Sequence, residues 1–275
     1  MRTRLTYAAV YTFLGVWLFI VAAPLAWVFI SALRSAREFI DNPFGLPWLF
    51  TGAPEGAPDP AAAVRENFSE AWVESNFSVY FINSIIVTAV SLFFILLISS
   101  MAAYVLARFR FRGNRLLFLF FISGLMIPAQ LLLVPLFFQY TTWSEWGSAA
   151  LRPLGLTFQL HDSLFGLIVL YIALSLPFTI LVLTGFFRSL PGTLREAAIL
   201  DGCSEARVFW SIMLPMARPG LVSAAIFNFL GLWNEYLFAL VFVSSETKKT
   251  LPLGLASVSM QAQYKTDFGL LFAGL

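Results

Sequence analysis

The chain has 275 residues, 59% of them hydrophobic and only 12% Asp, Glu, Lys or Arg, with 30 Phe and 8 Trp. A mean hydropathy of +0.82 is incompatible with a polar shell around a water-soluble core. One cysteine, Cys203, excludes an intrachain disulfide, and one histidine, His161, argues against a His/Cys metal site. The net charge of +2 says less about partners than its distribution does.

The first apolar run, residues 5–33, follows Arg2 and Arg4. It is about twice the ~7–15 residues of a signal-peptide core, so it reads as a retained span. Residues 34–76 form the longest stretch outside the runs, with seven acidic residues between 38 and 74 against three arginines. Its APEGAPDP (53–60) reads as irregular chain, and AAAVRENFSEAWVES (61–75) as a short surface helix. Two readings stand for it: a plain connector, or a surface that meets a partner through Phe68 and Trp72.

Uncharged runs at 77–107, 116–144 and 163–187 each exceed the ~20 helical residues that cross a bilayer. The run at 220–234 meets Glu235, stays apolar through Phe242, and counts as a fifth span. Pro128, Pro135 and Pro177 remove helical hydrogen bonds, which predicts kinks in the third and fourth spans. The connection 108–115 holds Arg108, Arg110, Arg112 and Arg115, and short basic connections stay in the cytoplasm. Alternation then places the N-terminus and the 188–219 segment inside as well. After an external stretch at 244–267, with Lys248, Lys249, Lys265 and Asp267, the sequence reads FGLLFAGL. Eight residues rise only ~12 Å as a helix, so this piece reads as the start of a sixth span.

Within 188–219 lies EAAILDGCSEARVFWSIMLP (196–215). Thr193 followed by Glu196 fits a capping box, which predicts a helix from about Leu194. Leu194, Ala197, Ala198 and Asp201 share one face by i, i+3, i+4, i+7 spacing. Gly202 is suited to the left-handed turn that ends a helix. Ser204 can cap a second helix carrying Glu205 and Arg207, and Pro215 and Pro219 punctuate the entry to the fifth span. The predicted picture is a helix–turn–helix at the cytoplasmic face. Small alanines let a partner backbone approach; the competing reading is an amphipathic helix lying in headgroups, which its acidic residues disfavour.

Intramembrane polar groups are candidates for a transport path. Asn228, Gly231 and Glu235 share a face of the fifth span, with Asn234 beside them, and Gln130 follows Pro128 in the third. For Glu235 the alternatives are a path lining, pairing with another span, or snorkelling at the outer interface. Trp17, Trp143, Trp146 and Trp233 fit interface positions.

The spacing E-A-A, three residues, G, nine residues, I-x-L-P is met by Glu196, Ala197, Ala198, Gly202, Ile212, Leu214 and Pro215. It resembles the signature of ABC-importer permease subunits. ENF (66–68), Asn83-Ser84, AAYVLARFRFRG (102–113), IPAQ (127–130), LPF (176–178), LDG (200–202) and WNEY (233–236) are similar to the carbohydrate-uptake branch, on the side of the maltose permease G subunit. The resemblance implies an all-α, type I permease fold, a single transmembrane domain over 1–275 with five complete spans and the start of a sixth, in a bacterial inner membrane. It implies a second, homologous permease, an ABC ATPase dimer reached through Glu196, Ala197, Ala198, Asp201 and Gly202, and an external solute-binding protein. ATP and Mg would be bound by the ATPase partners and none by this chain. That fits the lack of a G-x-x-x-x-G-K-[ST] loop and leaves no catalytic residue, and no nucleic-acid partner, to expect. Other readings are import of another polar solute such as a glycerol-phosphate ester or polyamine, an ion-driven carrier with a merely structural insert, and an intramembrane enzyme. The absence of Asp- or His-rich clusters in the spans argues against the last.

Overall fold

The structure is a computed structural model that describes residues 2–154, 157–265 and 268–274. Its helices, in chain order, are α1 (Arg2–Ala32), α2 (Ala36–Asp41), α3 (Trp48–Thr51), α4 (Pro60–Ser69), α5 (Phe77–Arg108), α6 (Asn114–Ser123), α7 (Leu133–Leu151), α8 (Leu164–Ser189), α9 (Gly192–Leu200), α10 (Glu205–Val208), α11 (Leu214–Met216), α12 (Arg218–Trp233), α13 (Leu237–Phe242), α14 (Leu251–Lys265) and α15 (Phe268–Gly274). The chain divides into one unit of residues 1–80 and 253–275 and another of residues 81–252.

Three helices are long and apolar enough to cross a membrane unbroken: Val10–Ala32, Phe77–Arg108 and Leu164–Ser189. The expected third span is bent, with Asn114–Met126 and Ala129–Leu151 meeting at 90°. Glu205–Met216, from the segment expected inside, meets Arg218–Trp233 at 71°. Up to five spans result when each bent pair counts as one, but the second pair draws on the 188–219 insert, whereas the sequence predicts a fifth span over 220–242. Of the three prolines expected to kink a span, only Pro128 stands at a break. Pro135 sits in the first turn of α7, where a helix has no partner for that N–H anyway. Pro177 leaves α8 a single helix and packs against the 3₁₀ turn beside the break, where a Cβ on Gly124 would lie 3.1 Å from its ring.

In the first unit, the segment after α1 is more ordered than a connector. Arg34 is buried and donates to the carbonyls of Asn42 at 3.1 Å and Pro43 at 2.9 Å. Asn67, the middle of ENF, is buried and donates to the carbonyls of Ala32 and Arg34 at 3.3 and 2.7 Å. The two amide bonds stand in for helical partners that the end of α1 lacks. Trp27, Phe39 and Phe272 gather around this corner with centroids 5.0–5.9 Å apart, so α15 lies against α1 with Leu270 and Phe272 buried. The predicted helix over 61–75 is present as α4, capped by Asp59 and continued by a π-turn over Glu70–Glu74, while 52–59 is irregular. The stretch read as external, 244–267, is helical from Leu251 to Lys265; Asp267 lies outside the described residues.

In the second unit, α5 buries Ser84, Thr88, Ser91, Ser99 and Ala103, a stripe of small side chains of the kind that lets membrane helices approach closely. α8 buries Leu167, Leu170, Tyr171, Ile180, Leu183, Thr184 and Phe187, a face at helical spacing. The core formed by Tyr104, Leu183, Phe187, Val208, Phe209 and Met213 lies at the end of the bundle where the 188–219 segment folds. The Asn83-Ser84 pair has a plain structural use. Asn83 donates to the carbonyls of Thr247 and Lys249 at 3.0 and 2.9 Å, and the Ser84 hydroxyl accepts from the Leu251 N–H at 2.7 Å.

Candidate functional site

α8 ends at Ser189, and the carbonyl of Leu190 after it accepts from the Arg108 guanidinium at 2.6 Å. Leu190 and Pro191 are extended, as a residue before proline and proline itself prefer. α9 consequently starts at Gly192 with Pro191 as its N-cap and no side-chain cap. The expected Thr193–Glu196 capping box is not formed, because Thr193 falls inside the first turn.

The C-terminal end of α9 follows the sequence expectation. Gly202 has φ +82°, its N–H donates to the Ile199 carbonyl, and the Cys203 N–H donates to that of Ala198, both at 2.9 Å. This is a Schellman turn, which requires a residue at ease in the left-handed region. A Cβ on Gly202 would meet nothing within 4 Å. Ser204 then caps α10 by accepting from the Arg207 N–H at 3.3 Å.

What fixes α9 against α10 is an ion pair that local spacing does not reveal. Arg195 bonds both carboxylate oxygens of Glu205, its Nε lying 3.2 Å from one of them. The Tyr104 hydroxyl of α5 donates to the same carboxylate at 3.0 Å. The guanidinium also lies 5.2 Å over the Phe109 ring, a cation–π geometry. The hydrogen bond to Glu205 raises the Arg195 pKa above its ordinary value, so the guanidinium stays cationic.

The seven signature positions, with Asp201 added as a docking candidate, differ in exposure. Ala198 is 6% exposed and packs in the core with Tyr104 and Phe187, and Ile212 and Leu214 pack against the same core. These three build the insert, and Ala198 is unavailable to a partner despite sharing the predicted face. Glu196, Ala197, Asp201 and Gly202 are exposed, and Pro215 is half-buried. Beside them Leu194 and Ile199 are exposed and Leu200 is 87% exposed, so this helix presents more bulky apolar surface than the sequence suggested.

A second candidate region is a cavity of ≈270 Å³ between the 3₁₀ turn after Pro128, α8 and the fifth span, lined among others by Tyr171, Ser175, Phe178, Asn228, Gly231 and Glu235. Asn228 is 7% exposed and donates to the Thr179 hydroxyl at 2.9 Å and the Ala224 carbonyl at 2.8 Å, which ties α12 to α8. α12 stops at Trp233, so the fifth span is interrupted before α13. Glu235 bridges the interruption, accepting from the Phe238 and Ala239 N–H groups at 2.7 and 3.1 Å and from the Tyr171 hydroxyl. The Tyr171 bond ties Glu235 to α8, and one edge of it faces the cavity. Asn234 is exposed and turns back to the Leu230 carbonyl of its own helix at 2.8 Å. Gln130 is exposed, and its neighbour Ala129 is the lining residue.

At Asp162 the carboxylate accepts from the Ser244 and Ser245 N–H groups at 2.9 and 2.8 Å, with the Ser245 hydroxyl and Lys248 adding to it. Burial pushes the Asp162 pKa up, but these donors outweigh it and hold the carboxyl below the ordinary range. A depressed pKa stabilises the fold fully above the unfolded value, near ~3.9, and the contribution is lost as pH falls through the folded one. The clamp is therefore intact through the neutral range.

Residues 95–275 match the family described as binding-protein-dependent transport system inner membrane component. The chain is similar to the diacetylchitobiose uptake system permease protein of Streptomyces coelicolor, 40% identical and covering 98% of this chain and 80% of that one. It is also similar to the trehalose transport system permease protein of Mycobacterium tuberculosis, 31% identical and covering 91% and 81%. Among solved structures, a bacterial ABC transporter that imports the acidic polysaccharide alginate matches with a TM-score of 0.73, 19% identity, and coverage of 100% of this chain and 91% of that one. That likeness bears on the fold.

Proposed function

Because the chain belongs to the binding-protein-dependent inner membrane components of ABC importers, we propose that it is one half of a sugar or oligosaccharide permease, driven by ATP hydrolysed in separate subunits. In this reading a second, homologous permease completes the path, an external solute-binding protein delivers the solute, and the N-terminus and the 188–219 insert face the cytoplasm. The chain itself performs no chemistry. It is a bacterial membrane protein.

The observation that carries the reading is the exposed tip of α9. Its Schellman turn places Gly202 against open space and leaves Leu200 standing out, on a helix braced from behind by Arg195, Glu205 and Tyr104. Burying one leucine on a partner contributes about 1.5–3 kcal/mol, which an isolated insert forgoes. A braced lever with a vacant, small-residue tip fits a cleft in an ATPase subunit, whose closure would move the attached spans as rigid bodies. Glu196, Ala197, Asp201 and Gly202 would touch that cleft, while Ala198, Ile212, Leu214 and Pro215 hold the lever's shape.

The relatives named for diacetylchitobiose and trehalose support a neutral oligosaccharide as the solute. The cavity beside Asn228, Gly231 and Glu235 supports it too, with aromatic faces and hydrogen-bonding groups and no cation aimed into it. The test is reconstitution of the full complex in proteoliposomes with labelled diacetylchitobiose, trehalose and a polyamine. Uptake of a sugar that requires internal ATP and the binding protein is expected. Uptake without the ATPase that collapses with an ionophore would sink the reading, and uptake of the polyamine alone would move the solute class.

A further inference from the structure

The connection between α5 and α6 does more than mark orientation. Arg110 and Arg112 from this connection, Arg115 from the first turn of α6 and Arg188 from the end of α8 line one cavity of ≈610 Å³, with Phe109 and Asn114 in its wall. The Asn114 amide is committed to the carbonyls of Leu106 and Phe109 at 3.2 and 2.8 Å, which holds the connection in shape, and Gly113 precedes α6 as an N-cap without a side-chain bond. Arg188 stands 5.0 Å from the Phe118 ring. Among the described residues, none of these four arginines has a carboxylate within salt-bridge distance. Four like charges facing a shared cavity repel one another. An anion entering the cavity would relieve that repulsion and meet guanidinium forks, whose planar donors match the oxygens of a phosphate.

The surroundings select which anion. Immediately beside the arginines, α6 exposes Leu116, Leu117, Leu119 and Phe120, and the connection exposes Phe111. A ligand that is phosphate at one end and hydrocarbon at the other satisfies both surfaces, and basic pockets between membrane helices hold such headgroups. We propose that this cavity binds the phosphate of an anionic phospholipid, with the acyl chains along the exposed face of α6. This site does not depend on the docking of α9, and the two can fail separately.

The test is native mass spectrometry of the purified full chain exchanged into equal amounts of phosphatidylglycerol and phosphatidylcholine, with a parallel arm containing inorganic phosphate alone. Wild type should retain phosphatidylglycerol preferentially, a comparison that depends on no variant. Arg110→Gln, Arg112→Gln and Arg188→Gln should each lower that preference about five-fold, and each leaves three of the four charges to maintain orientation. Equal retention of both lipids, or a preference unchanged in all three variants, would overturn the proposal. Displacement of the lipid by inorganic phosphate, beyond that caused by chloride at equal ionic strength, would replace the lipid with a soluble phosphate. Loss of ATPase co-purification in the variants with lipid preference intact would make the patch a protein contact.

Discussion

The α9–α10 insert and the interrupted fifth span both contain a glutamate in a mostly apolar setting, and they use it in the same way for different ends. Glu205 fixes one helix of the insert to another and to α5. Glu235 caps α13 and reaches Tyr171 on α8. In both places the charge is satisfied within the chain. What differs is what is left over: the insert turns Ala197, Leu200 and the backbone of Gly202 outward, whereas the span keeps Asn228 and one edge of Glu235 beside a cavity. Damage to the span should thus register first as lost stability, and damage to the insert tip as lost coupling in a stable protein.

Substitution at Glu235 should produce the largest change. Glu235→Ala orphans two N–H groups at the start of α13 and removes the Tyr171 partner, which should cost about 3 kcal/mol, read as a lower thermal unfolding midpoint in detergent. A variant as stable as wild type but defective in uptake would instead make Glu235 a path residue, and the contrast between the regions would go. Gly202→Val comes next. Its penalty should be about 1–2 kcal/mol, the left-handed conformation being its only strain, since nothing in the chain lies near the new side chain. Uptake should nonetheless fall at least ~10-fold in a protein that stays folded, because a domain stable by about 5–15 kcal/mol survives that loss; normal uptake would contradict an occupied tip. Glu205→Gln should be mildest, about 1 kcal/mol or less for a partly exposed ion pair, with an unfolding midpoint less sensitive to added salt than wild type. A large loss there would mean the brace is more buried in the assembled complex.

How much of this was readable in advance depends on the range of each interaction. The Schellman turn was legible because its parts lie within six residues, at Ala198, Ile199, Gly202 and Cys203. The N-terminal cap was misread because Leu190-Pro191 set the helix start two residues earlier than Thr193 suggested. Arg195 and Glu205 are ten residues apart across a turn, and Tyr104 is 101 residues from Glu205, so no periodicity joins them. The burial of Ala198 was hidden for the same reason, since its neighbours come from α5, α8 and the turn after α10. Glu235 did leave a local trace: an acidic residue one before the N-cap Tyr236 and three before Phe238, at the head of an apolar run. Apolar runs located the spans but not their breaks. Pro128, Pro135 and Pro177 look alike in sequence, and only the structure tells a break from a first-turn proline.

The central claim is that the outward face of α9 meets the ATPase. It is tested most directly by placing a cysteine at Ala197, in a Cys203→Ser background, and treating the assembled transporter with a short thiol-to-amine crosslinker with and without ATP. The account predicts a permease–ATPase adduct whose yield changes when ATP is added, and no such adduct from a cysteine at the buried Ala198. An intact, transport-competent complex that gives no adduct from position 197 in either state would contradict it.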